Sequence, residues 1–217
     1  MTPLKLKDAI FDMDGTLLDS MGMWRNLGRD LFLRRNLRPP EDAEGWRLEL
    51  PELAARCASL GVPGKPGALE EELRAQIEDF YRRRVHAKPG VSAFLARLAE
   101  RGVPMYVATA TDRPLAEAAL IRTGLIERFQ GIVTCREAGQ GKREGPAVYE
   151  AALAALRCAR EDALVFEDVL YAVRTAKAAG FRTAAVYDPW EAAQEELRRT
   201  ADYYVMSYEA AMCSPSS

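Results

Sequence analysis

Apolar and polar positions alternate in blocks along the chain, and the blocks change character once. Ala9, Ile10 and Phe11 form a short apolar run that closes on Asp12-Met13-Asp14-Gly15-Thr16. A run of that kind, stopped by a glycine turn, predicts a buried strand of a parallel sheet. Trp24, Leu27 and Leu31 then recur at helical spacing. Residues 36–51 contain Pro39, Pro40, Gly45 and Pro51 and are predicted to be mostly turn and loop. Residues 52–60 predict a short helix, Gly61 to Gly67 a break, and the stripe Leu69, Leu73, Ile77 and Phe80 a helix running to about Arg84.

From residue 87 the pattern becomes alternating. Val91, Phe94, Leu95 and Leu98 predict a helix ended by Gly102, and Val103 to Thr109 a strand. Asp112-Arg113-Pro114 reads as an N-cap followed by a first-turn proline, opening a helix to about Thr123. Strands are predicted at Ile132–Thr134, Ala163–Phe166 and Thr183–Tyr187, with a last edge strand at Tyr203–Met206. Helices are predicted at 146–157, with Val148, Ala152, Ala155 and Leu156 on one face, at 170–179, and at 190–200. Repeated strand–helix alternation predicts an α/β, doubly wound, Rossmann-like parallel sheet. Residues 17–86 carry helical pattern only and predict an α-helical cap inserted after the first strand. The catalytic core is then expected from residues 1–16 and 87–217.

Composition narrows the chemistry. The chain has 217 residues, with 48% hydrophobic and 29% charged side chains and a net charge of −2. That balance argues against nucleic acid or an anionic membrane as partner. No apolar run approaches the ~20 residues of a membrane span. The first residues, Met1 to Lys7, contain no apolar stretch of a secretory signal. The four cysteines, Cys57, Cys135, Cys158 and Cys213, form no close pair and read as reduced thiols of a cytoplasmic protein. His86 is the one histidine. Zinc sites needing two or three imidazoles are therefore excluded, and a Ser-His-Asp triad lacks its usual turn. Carboxylates, lysines and hydroxyls remain.

In open α/β sheets, ligands bind at the carboxyl ends of the strands. The residues predicted there are Asp12 and Asp14, Thr109, Lys142, and Glu167 with Asp168. Carboxylates so close repel one another unless a cation intervenes. Oxygen-only ligands suit a hard ion, Mg²⁺ when phosphate is also bound. Lysine and threonine suit phosphate oxygens, and a carboxylate can serve as nucleophile through an aspartyl phosphate. The set reads as metal-assisted phosphoryl transfer.

The sequence also resembles a known family. Phe11-Asp12-Met13-Asp14-Gly15-Thr16-Leu17-Leu18-Asp19-Ser20 resembles the first motif of the haloacid dehalogenase superfamily, in its phosphatase branch. Val107-Ala108-Thr109-Ala110-Thr111 resembles the second, Gly141-Lys142 with Pro146 and Tyr149 the third, and Phe166-Glu167-Asp168 with Ala176-Lys177-Ala178-Ala179-Gly180 the fourth. The helical insertion is similar in place to the cap of the phosphoglycolate phosphatase and β-phosphoglucomutase-like subfamily. The resemblance implies that Asp12 is the nucleophile and Asp14 the general acid and base. It implies that Thr109 and Lys142 hold phosphate, and that Gly15 and Ala110 contribute to substrate binding, Gly15 by leaving backbone N–H groups free. The implied Mg²⁺ ligands are Asp12, Asp14 through its carbonyl, Asp168, and Glu167 directly or through water. A dehalogenase is disfavoured, because those enzymes lack an aspartate at the Asp14 position. One departure stands out: proline usually follows the third-motif lysine by three residues, whereas Pro146 follows Lys142 by four.

The expected function is a Mg²⁺-dependent phosphatase of a small phosphorylated metabolite, a sugar phosphate or a nucleoside monophosphate. Oligomeric state is unassigned between monomer and weak dimer. A β-phosphoglucomutase-type mutase shares every core motif. A receiver-like signalling module also gathers Asp, Thr, Lys and Mg²⁺ at strand ends, but is shorter and has no helical insertion. A catalytically silent relative would not need the intact acid set. Thr111 competes with Thr109 or caps the next helix. His86 reads as a hinge or surface residue and Arg82-Arg83-Arg84 as a solvated helix end. Trp24, Arg25, Trp46 and Arg47 are candidate substrate contacts in the cap, with core packing the default for both tryptophans.

Overall fold

The structure, a computed structural model, describes residues 6–43, 46 and 48–212. In chain order its elements are β1 (Asp8–Phe11), α1 (Met21–Arg34), α2 (Leu50–Ser59), α3 (Pro66–Asp79), α4 (Val91–Glu100), β2 (Met105–Thr109), α5 (Arg113–Arg122), β3 (Ile132–Thr134), α6 (Cys135–Ala138), α7 (Ala147–Leu156), β4 (Ala163–Glu167), α8 (Leu170–Ala178), β5 (Arg182–Val186), α9 (Gln194–Thr200), β6 (Tyr203–Val205) and α10 (Tyr208–Met212). Helix α3 runs on into a π-helical turn, Phe80–Arg84.

All six strands pair in parallel, in the order β3-β2-β1-β4-β5-β6. The order reverses between β1 and β4, which makes the crevice at their carboxyl ends the expected place for a ligand. Side chains alternate across the sheet as a strand demands. Ile10, Ala108 and Val165 pack on one face with Val148, Tyr149 and Ala152 of α7 and Ala176 of α8. Phe11 and Phe166 point the other way, stacked at 4.3 Å, and meet Phe94 of α4 edge-on at 6.5 and 5.9 Å. Each such buried ring contributes roughly 1.5–3 kcal/mol, so the strands that carry the acids are firmly anchored one residue before them.

The chain divides into two compact units, one of Met1–Asp19 with His86–Ser217 and one of Ser20–Val85. The helical unit therefore begins at Ser20 and not at residue 17. Leu17 and Leu18 are fully buried, and Leu18 bridges to both Asp14 and Ala87. The N–H of Asp19 donates to His86 O at 3.0 Å, and that of Lys88 to Leu17 O at 2.9 Å. These paired segments hold residues 17–19 to the sheet unit. His86 is exposed and takes part through its carbonyl.

Within the helical unit α1 meets α2 by small-against-large contact. A Cβ at Gly28 would lie 2.8 Å from Leu53 Cδ1 and 2.9 Å from Trp46 Cε3. Trp46 also meets Phe32 edge-on at 6.4 Å, and Trp24 Nε1 donates to Tyr81 OH at 2.9 Å. Both tryptophans thus take part in the packing of this unit. Arg25 is half-buried, and Arg47 lies outside the described residues.

Several boundaries differ from the pattern for local reasons. The helix expected over 190–200 starts at Gln194, because Asp188 holds a turn: its Oδ1 accepts from Trp190 N at 2.9 Å and its carbonyl from Gln194 Nε2 at 2.6 Å. Asp112 starts α5 without a side-chain cap; its carboxylate pairs with Arg136 Nε at 3.0 Å instead. Ala155 is exposed, and Tyr149 fills the buried face of α7. Helix α6 was not expected, although Thr134-Cys-Arg-Glu137 spells a capping box, and Thr134 with Glu137 forms one.

Candidate active site

Asp12 lies one residue beyond β1, and its N–H donates to Phe166 O at 2.9 Å, locking the end of β1 to β4. Its side chain is buried, as are Glu167 at the end of β4 and Asp168 just after it. These three carboxylates bring ligand oxygens within 4.8 Å of one another. Lys142 reaches into the same space from the loop before α7. Its Nζ donates to Asp12 Oδ1 and, at 2.6 Å, to Glu167 Oε1. Tyr149 OH donates to the same Glu167 oxygen at 2.6 Å. Thr16 Oγ1 donates to Asp168 Oδ1 at 3.3 Å, and Tyr208 OH to Thr16 O at 3.2 Å, so the turn after Asp14 is tied to the acids.

The loop that carries Lys142 absorbs its extra residue in a tight turn. Glu144 N and Gly145 N both donate to Gly141 O, at 3.0 and 3.1 Å. Thr175 Oγ1 of α8 donates to Lys142 O at 2.8 Å and fixes the lysine backbone. Gly145 gives room to Gln140: a Cβ there would lie 2.4 Å from Gln140 Oε1, which accepts from Ala147 N at 3.2 Å. The displaced proline therefore changes the loop, and Lys142 still meets Asp12.

Asp14 is half-buried and stands apart from the trio. Its Oδ2 accepts from Thr111 Oγ1 at 2.7 Å. Thr109 is fully buried at the end of β2, and its Oγ1 accepts from Thr111 N at 3.1 Å. Of the two threonine hydroxyls, that of Thr111 bonds Asp14, while that of Thr109 accepts from the Thr111 backbone. Ala110 between them is exposed. Gly15 adopts φ +80°, the left-handed conformation glycine accepts readily. Its own N–H is not free, since it donates to Leu18 O at 3.0 Å. Its contribution is the sharp turn and not an open donor.

Electrostatics here are dominated by burial. Removal from water pushes the Asp12 carboxyl up to about 7; the Lys142 charge opposes this, while Glu167 and Asp14 add to it. Asp168 is also driven well up, by burial first and then by Asp12, Glu167 and Asp188, with Lys88 opposing. Burial alone would depress Lys142, but Asp12 and Glu167 together hold its ammonium well above the usual range. Glu167 Oε2 is buried with no hydrogen-bond partner among the described residues. Crowded carboxylates pushed toward protonation, together with an orphaned carboxylate oxygen, fit a hard cation. Asp12, Glu167 and Asp168 are the residues that could hold it.

Comparison with known proteins identifies the family. A family model described as haloacid dehalogenase-like hydrolase matches residues 9–186. The chain is 30% identical over 183 residues to validoxylamine A 7′-phosphate phosphatase of Streptomyces hygroscopicus subsp. limoneus, covering 80% of this chain and 82% of that protein. It is 29% identical over 190 residues to hexitol phosphatase A of Escherichia coli K12, covering 86% and 85%. Among solved structures, one provisionally assigned as a β-phosphoglucomutase of Thermotoga maritima shares the fold with a TM-score of 0.83, at 23% identity over 95% of this chain and 97% of that one. Among the described residues no helix is long and apolar enough to cross a membrane. Because the family match runs from β1 to the end of β5 and so takes in the strand ends that carry Asp12, Glu167 and Asp168, this chain belongs to the haloacid dehalogenase-like hydrolases, as a phosphoric monoester hydrolase.

Proposed function

We propose that this hydrolase releases inorganic phosphate from a small phosphorylated sugar or sugar alcohol, with Mg²⁺ bound by Asp12, Glu167 and Asp168. The observation that carries this reading is the buried cluster in which Lys142 bridges Asp12 and Glu167 beside Asp168. The substrate class is supported by the names of the relatives above, and a nucleoside monophosphate is the competing class. Bound there, the ion neutralises carboxylate and phosphate charge.

In this reading a carboxylate oxygen of Asp12 attacks phosphorus. The P–O bond to the alcohol breaks as Asp14 gives that oxygen a proton. Water then attacks the aspartyl phosphate, giving its proton to Asp14 and freeing Asp12. Lys142 holds Asp12 in its charged, attacking form and meets phosphate oxygens together with Thr109. Thr111 keeps Asp14 aimed. The helical unit is read as the part of the chain that selects the substrate.

A panel of phosphate esters tests this. Phosphate release is expected with Mg²⁺, strongest on sugar and polyol phosphates, lost on chelation and regained on adding the ion. Release from none of the panel, or an isomerised phosphate in place of free phosphate, would overturn the reading.

Melting curves give a second test. Asp12 has an ordinary value of 3.8 and a folded value of about 7. A carboxyl that holds its proton more tightly when folded stabilises the fold below 3.8, and this is lost as pH rises through about 7. Asp168 shifts in the same direction. The metal-free protein should therefore melt at progressively lower temperature across that window. The rise in melting temperature on adding Mg²⁺ should grow over the same window, since fewer protons need displacing. A Mg²⁺ effect independent of pH would count against the cluster as its site.

A further inference from the structure

Beside the carboxylate cluster lies a second charged pair that the proposed chemistry does not use. Lys88 Nζ stands 2.8 Å from Asp188 Oδ2 and donates to Tyr187 O at 2.8 Å. The Asp188 side chain is 1% exposed and that of Lys88 11%. Asp188 follows β5, whose Ala185 is in register with Glu167 of β4, so it emerges at the same sheet edge as Asp168. Trp190 N, donating to Asp188 Oδ1 at 2.9 Å, fixes its orientation. Lys88 comes from the segment after Ala87 and is anchored by its N–H on Leu17 O. Both partners are therefore rigidly placed. The two charges act on Asp168 with opposite sign, Asp188 raising its carboxyl and Lys88 lowering it.

A buried ion pair is weak evidence for stability by itself, so its use here calls for another account. Asp12, Glu167, Asp168 and Asp188 are buried carboxylates, and Lys142 and Lys88 are the ammonium groups paired to them. Counting these six groups alone, the excess is two negative charges, the charge of one divalent ion. Without Lys88 the excess would be three; without Asp188 it would be one, with an ammonium left facing the site.

We propose that Lys88 and Asp188 are a positioning pair that sets the net charge seen by the cation, so that cation affinity depends on keeping both or removing both. This rests on the divalent-cation reading above. Neither residue is among the carboxylates proposed to hold the ion. They act through Asp168.

The test is Mn²⁺ binding to the purified full chain, followed by electron paramagnetic resonance, with Mn²⁺ as a visible hard divalent ion. Asp188→Asn should weaken Mn²⁺ binding about tenfold or more, the size of effect seen when partners of metal ligands are removed. Lys88→Met combined with Asp188→Asn should return affinity to within about threefold of the wild type, because coupled sites are non-additive. Metal-free melting temperatures of the variants show whether each is folded. If Asp188→Asn is not folded, the single Lys88→Met variant carries the test and should bind Mn²⁺ more tightly than the wild type. Wild-type-like binding by Asp188→Asn, or a double variant as weak as Asp188→Asn, overturns the pair. Equal or weaker binding by Lys88→Met also overturns it. A wild type that takes up no Mn²⁺ overturns the cation reading itself, which is a distinct result.

Discussion

Asp12→Asn is expected to lower phosphate release by at least about 10³-fold, the scale of loss when a nucleophile is removed. The amide has nearly the shape of the carboxylate, so the packing of β1 against β4 is unchanged. What is lost is the nucleophile. The variant should also separate chemistry from folding. Asp12 is buried beside Glu167 and Asp14, which push its carboxyl toward protonation. Replacing it with a neutral group relieves that repulsion, so the metal-free variant should melt no lower than the wild type near pH 7. Loss of activity together with loss of fold would point to a structural residue. Full activity would remove Asp12 from the chemistry altogether. Phosphate release and thermal melting on the same preparation check both.

Lys142→Met is expected to have the largest effect on stability. The methionine keeps most of the side-chain volume but removes the one ammonium that Asp12 and Glu167 share. Taking one partner from a buried ion pair costs about 3–5 kcal/mol, because the remaining charge is left uncompensated. The loss should be greatest above pH 7, where Asp12 would be ionised. It should shrink toward pH 5 as Asp12 takes up a proton. Added Mg²⁺ should recover part of the stability and little of the activity, because Lys142 is also proposed to hold the phosphate. Urea unfolding at pH 5 and pH 8 measures this, and equal losses at the two values would contradict it.

Much of this site was legible because its chemistry and its topology coincide. Asp12, Asp14, Glu167 and Asp168 each follow a short apolar run that ends a strand, so the strand pattern alone gathered them at one edge. The phenylalanines just before Asp12 and Glu167 mark the sheet face, which strand periodicity also gives. Other features depend on distance in sequence. Lys88 and Asp188 carry no local motif, and only the folding of β5 beside β4 brings them together. Thr111 lies two residues past Thr109, where it reads as a rival phosphate contact or a helix cap, and its bond to Asp14 needs β2 paired beside β1. Tyr149 stood in the third motif, but its bond to Glu167 needs α7 packed across the sheet. The free N–H expected at Gly15 was lost to a turn that closes on Leu18. Helix α6 was legible in principle, since Thr134 and Glu137 have capping spacing, but four residues are too few for apolar periodicity to show.

The pairing of residues 17–19 with 86–88 bears on how such a protein can diversify. The inserted stretch leaves and rejoins the sheet unit at points already held together by hydrogen bonds between Asp19 and His86 and between Lys88 and Leu17. For the sheet unit the insertion is therefore a long hairpin loop. Its closure entropy grows only slowly with length, by roughly 0.6 kcal/mol for each doubling. Helices can be lengthened, exchanged or redrawn between those two points while the acids at the strand ends keep their positions. With the helical unit proposed to select the substrate, substrate range and reaction chemistry can then evolve at separate rates within one gene, with the paired segment as the seam between them.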